Sequence, residues 1–83
     1  MKVKYFAWVR ERVGIPEETI EPPPDVRTVN DLIGWLSSRG DAYAYAFEKP
    51  KVIRAAIDRA HVRADTAISG AREVAFFPPM TGG

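Results

Sequence analysis

The residues of this chain best suited to chemistry are its last two, Gly82 and Gly83, which follow Pro78, Pro79, Met80 and Thr81. Lacking side chains, two glycines can thread a narrow channel and leave the Gly83 carboxyl carbon unhindered on its Cα side. That suits acyl chemistry. With a reference pKa of about 3.3–3.7 this carboxylate is ionised at neutral pH and is a poor acyl donor until a second enzyme activates it. Gly-Gly alone would say little, because terminal residues are commonly small and loosely held. Here it follows an apolar strand and two prolines, which lack N–H groups and hold φ near −65°. Sheet pairing therefore stops, and the chain is expected to leave the domain as a flexible, extended tail. At roughly 3.3 Å per residue, 78–83 span about 20 Å, enough to enter another protein's pocket while the domain stays outside.

Other candidates for chemistry are weaker. His61 is the single histidine, has no serine, cysteine or carboxylate at a recognisable catalytic spacing, and cannot hold zinc alone. It reads as a strand residue at the rim of an interface. With no cysteine there is no disulfide, thiolate metal site or cysteine nucleophile, and the expected metal content is none. Glu17 and Glu18 read as the solvated face of an edge strand. Arg10, Glu11 and Arg12 read as a solvated turn whose charge could steer a partner. Phe6 and Trp8, opposite the expected core face of the first strand, and Phe77, beside the tail, form a candidate docking patch.

Length and charge narrow the field. Eighty-three residues make one domain with a small core and little room for an enclosed active site. The 46% hydrophobic and 28% charged content is ordinary for a folded soluble protein. A net charge of +1 lacks the basic footprint of a nucleic-acid binder. No apolar run approaches the roughly 20 residues that span a membrane, and the charged N-terminus does not resemble a signal peptide. The expectation is a cytoplasmic protein with neither nucleic-acid nor membrane partners.

Several elements must position the tail. Residues 2–9 alternate, with Val3, Tyr5, Ala7 and Val9 on one face, which predicts a strand. Residues 10–14 predict a turn ending at Gly14, and 17–21 a second strand stopped by the prolines at 22–24. Thr28 with Asp31 approximates a capping box, and Val29, Leu32, Ile33 and Leu36 follow the apolar spacing of the main helix, which Gly40 is expected to stop. A shorter helix is expected in 41–49. Strands follow with Ile53, Ala55 and Ile57 on one face, then around His61, then at 72–77 with Val74 and Phe76 facing one way and Phe77 the other. The pattern is α+β: a mixed sheet of four to five strands on one main helix over residues 1–77, with a tail at 78–83.

The run EVAFFPPMTGG at 73–83 resembles the C-terminal signature of the small subunit of molybdopterin synthase, the MoaD family of ubiquitin-like β-grasp sulfur carriers. VKYFAWVRERVG resembles that family's opening strand and turn, and TVNDLIGWL its first helix. Ala71 and Arg72 stand where the family commonly has Gly-Asp, and Asp58 and Arg59 where it has Asn-Gln, which puts those turns in question and leaves the tail intact. The resemblance implies a chain that is non-catalytic alone and binds no cofactor. An adenylating partner, MoeB-like, would use ATP to convert the Gly83 carboxylate to an acyl-adenylate, and a sulfur donor would displace AMP to leave a thiocarboxylate. Pro78, Pro79, Met80, Thr81 and Gly82 would enter the large synthase subunit, MoaE-like, within a heterotetramer, and sulfur would pass to a cyclic pyranopterin precursor. The alternatives are a thiamine-pathway sulfur carrier, whose relatives lack the AFFPP run, a ubiquitin-like modifier joined to lysines through Gly83, and a plain interaction module.

Overall fold

Thr28 opens the central helix as its sequence predicts. In the computed structural model, which describes residues 1–79, the Thr28 side chain accepts from the Asp31 N–H at 3.1 Å while the Asp31 carboxylate accepts from the Thr28 N–H at 3.2 Å. Two otherwise orphaned donors are thereby satisfied. This helix, α2 (Val29–Ser37), buries the expected stripe of Val29, Leu32, Ile33 and Leu36. It ends at Ser37, short of Gly40, which instead caps the start of α3 (Asp41–Ala46).

The stripe packs into one cluster with strands β1 (Lys2–Tyr5), β3 (Arg54–Ile57) and β5 (Glu73–Phe77) through Val3, Tyr5, Ala55, Val74 and Phe76. With β2 (Glu17–Thr19) and β4 (Ala60–Val62) the sheet runs β2-β1-β5-β3-β4. Strands β1 and β5 pair in parallel and every other neighbour antiparallel, so the sheet is mixed as expected. Asp58 and Arg59, both at positive φ, join β3 to β4 by the tight turn such a hairpin requires.

The N-terminal segment departs from expectation. The strand read over 2–9 stops at Tyr5, and residues 7–13 form a helix, α1 (Ala7–Val13), ended by Gly14 at φ +97°. Ala7, at φ +52°, turns the chain out of the sheet. Val9 and Val13 then reach the core at i, i+4 spacing. Period-two alternation through Val9 was a coincidence of two apolar patterns meeting at Phe6, and the expected turn at 10–14 is the second half of α1.

Glu18 also departs from its expected solvated role. Unlike Glu17, which pairs with Lys2 at the surface, Glu18 faces inward beside Val3. Its Oε2 accepts from the hydroxyls of Tyr5 (2.8 Å) and Tyr43 (2.6 Å), and its Oε1 from Arg39 Nη1 (3.0 Å). One carboxylate thus ties edge strand β2 to β1, to α3 and to the α2–α3 connection. Burial alone would raise the Glu18 pKa, but the hydrogen bonds from Tyr43, Tyr5 and Arg39 outweigh it and hold the carboxyl below the usual glutamate range. Burial, reinforced by Glu18, pushes the Tyr5 phenol upward. A folded pKa below the unfolded one contributes stability that is full above the unfolded value of about 4.3 and fades as pH falls through the folded value. Glu18→Gln is therefore expected to be about 1.5–3 kcal/mol less stable at neutral pH, the range for hydrogen bonds to charged groups, with a shallower acid limb in urea melts run from pH 7 to 2. Parallel acid limbs for the two proteins would contradict this assignment.

Candidate functional site at the tail exit

Strand β5 lies in the middle of the sheet, paired with β1 on one side and β3 on the other. Val74 and Phe76 are fully buried, and the Phe76 carbonyl accepts from the Phe6 N–H at 3.0 Å as the last rung against β1. Two residues later Pro78 and Pro79 end the pairing, as their missing donors require. Met80, Thr81, Gly82 and Gly83, the expected inserting and reacting residues, lie outside the described residues.

Register places the expected interface residues on or beside the sheet face that turns away from the helices. Glu73, Ala75 and Phe77 alternate with Val74 and Phe76 along β5; Arg54 stands opposite Phe77, Ala56 opposite Ala75, and His61 opposite Ala56. The Phe77 and His61 rings meet edge-on with centroids 5.2 Å apart. Phe6 follows Tyr5, whose register partner is Phe76, and is 45% exposed at the same end of the sheet. Phe6, Phe77 and His61 thus surround the point where the tail departs. Ion pairs Lys4–Glu73 and Lys2–Glu17, each 3.2 Å, cover the same face farther back.

Trp8 does not belong to this sheet face, because it lies on α1. The Arg12 guanidinium sits 4.4 Å from its ring centroid and 4.1 Å from that of Tyr45, bridging α1 to α3 by cation–π contact. Arg12 is consequently a packing residue and not the solvated turn residue its neighbours suggested. The signal lay in Trp8 and Arg12 at i, i+4, legible only once this segment is read as helix. Among the described residues, no group of three or more potential ligands could hold a metal, and no helix is long and apolar enough to cross a membrane.

A five-stranded mixed sheet grasping a helix, with the C-terminal strand β5 in its centre, is the ubiquitin-like β-grasp architecture. The chain belongs to the ThiS family, matched over residues 3–83. It is 40% identical to the molybdopterin synthase sulfur carrier subunit of Escherichia coli and 35% identical to that of Haemophilus influenzae, each alignment covering 100% of this chain and 99% of the relative. The crystal structure of SAMP1 from Haloferax volcanii shares the fold, with a TM-score of 0.73 at 24% identity over 100% of this chain and 98% of that one.

Proposed function

We propose that this chain is a cytoplasmic sulfur carrier for molybdenum cofactor biosynthesis, loaded and discharged at Gly83. The observation that carries this reading is full-length similarity to two sulfur carrier subunits in a chain whose central strand runs directly into Pro78 and Pro79. The Gly83 carboxylate attacks the α-phosphate of ATP on an adenylating partner, releasing pyrophosphate. A sulfur nucleophile then displaces AMP and leaves a thiocarboxylate. The tail enters the large synthase subunit, where that sulfur attacks a cyclic pyranopterin precursor; the groups that catalyse these steps belong to the partners. Incubation with an adenylating enzyme, ATP and a sulfur source should raise the intact mass by the difference between sulfur and oxygen. An unchanged mass, or lysine-linked conjugates in cell extract, would overturn the reading.

In this scheme Phe77, Phe6 and His61 dock the partner while the tail is inserted. Phe77→Ala is expected to lower affinity for the large subunit by about 2 kcal/mol or more, as for a central aromatic anchor. Its half-buried position on the outer face should leave the melting temperature little changed. Calorimetric titration and thermal melts of the same variant check both halves. A large fall in melting temperature with undiminished affinity would make Phe77 a folding residue only.

A further inference from the structure

A second surface beside the tail exit carries positive charge without a counter-charge. Helix α2, the turn at Pro50–Val52 and strands β3 and β4 enclose a groove of about 490 Å³. Its wall includes the aliphatic side chains of Val29, Ile33 and Ile53, and its rim carries Lys51, Arg54 and Arg63 with no carboxylate among the lining residues. The four ion pairs among the described residues use Lys2, Lys4, Arg12 and Arg39, leaving these three cations out. Arg54 Nη1 donates to the Lys51 carbonyl at 3.1 Å, which fixes the guanidinium at the rim without neutralising it. The groove is preformed: the Asn30 N–H donates to the Ala64 carbonyl at 2.8 Å and the Val29 N–H to the Thr66 carbonyl at 3.0 Å, binding the loop after β4 to α2.

We propose that this groove docks an extended polypeptide segment in which aliphatic residues alternate with aspartate or glutamate, carried by a protein that acts on the tail. Only the partner's role rests on the carrier reading; the recognition chemistry does not. In an extended segment alternate side chains face opposite ways, so aliphatic residues can enter the groove while carboxylates reach the rim. Arginine binds carboxylate in a fixed fork, and desolvated aliphatic walls strengthen such pairs. Strand β4 is the last strand of the sheet, with no neighbour on its far side among the described residues, so an added extended segment meets no obstruction from the sheet. Position gives the contact a use: Arg54 lies opposite Phe77, one residue before the tail begins. A segment held there keeps its parent protein at high local concentration beside Gly83 and draws it in by charge. Nucleic acid fits less well, because no aromatic ring lines the groove to stack a base.

The test is an amide NMR titration of the full chain with a capped peptide of about eight residues, a typical strand length, in which aspartate alternates with isoleucine or valine. Parallel titrations use the same peptide with lysine for aspartate and a short thymidine DNA strand. Saturable shifts at Ile33, Lys51, Ile53, Val62 and Arg63 are expected with the acidic peptide alone, weakening with added salt. Binding should fall about tenfold or more in the double variant Lys51→Glu, Arg63→Glu, equivalent to about 1.4 kcal/mol. Both positions are exposed, and the single variant Arg63→Gln, which should bind with intermediate affinity, covers the case in which the double variant misfolds. Absence of saturable shifts, equal response to the lysine peptide or the DNA, or shifts centred on Phe77 and His61 would overturn the proposal. Sulfur loading followed by intact mass keeps the two readings apart: a chain that loads but ignores the peptide sinks the groove and leaves the carrier standing.

Discussion

Deleting Gly83, or adding one glycine after it, is expected to abolish sulfur transfer while leaving the melting temperature unchanged. Either change moves the reacting carboxyl by about 3.8 Å, one Cα step, relative to a partner that reads the tail from its docked domain. A misplacement of about 1 Å can cost on the order of a hundredfold in rate, so either variant should fall below detection in single-turnover transfer. Stability should not follow, because the buried cluster among the described residues ends at Phe76. Intact mass after loading, single-turnover transfer and a thermal melt of each variant check the prediction. Full transfer by the extended variant would refute the assignment of Gly83 as the carrying residue.

Phe76→Ala is expected to act in the opposite way, destabilising the domain by about 3–5 kcal/mol with the tail chemically intact. Phe76 is fully buried and meets Phe47 edge-on at 5.3 Å, and Phe47 in turn meets Tyr5 at 6.4 Å. Removing the ring leaves a cavity beside Phe47 in the buried cluster that also holds Val3, Val74 and Leu36. Against a total stability of about 5–15 kcal/mol for a typical domain, this loss populates the unfolded chain. Urea unfolding should show a lower midpoint with an unchanged slope, and sulfur loading should recover on cooling toward the temperature of maximum stability. A loss below about 1 kcal/mol would mean that the ring is not the clamp holding the tail-bearing strand.

The contrast between these variants follows from where each residue is specified. The chemistry proposed for Gly83 rests on residue types alone: two glycines without side chains after two prolines are read without the fold. The main helix was equally legible, because the Thr28–Asp31 capping box and the Val29, Leu32, Ile33, Leu36 stripe are local patterns with one solution. Strand β5 was legible because its apolar run from Val74 to Phe77 stops at Pro78. Residues 6–13 were not, since their apolar positions satisfy period two and helical spacing together. The choice between them was made by Ala7's positive φ and by the burial of Val9 and Val13 beneath α1.

Glu18 and Arg12 show the same division in charged residues. Each looks solvated in sequence, and each acquires its role from partners far along the chain, Glu18 from Tyr43 and Arg39 and Arg12 from Tyr45. The gathering of Phe6, His61 and Phe77 around the tail exit likewise depends on β5 inserting between β1 and β3. The sequence by itself determined the capped helix, the end of β5 at Pro78 and the mixed α+β order, because those follow from backbone chemistry and short-range periodicity. Only the tertiary structure decided which aromatics flank the exit and which charges are buried, because long-range strand order and packing, unlike spacing, bring distant residues within hydrogen-bond and ring-contact distance.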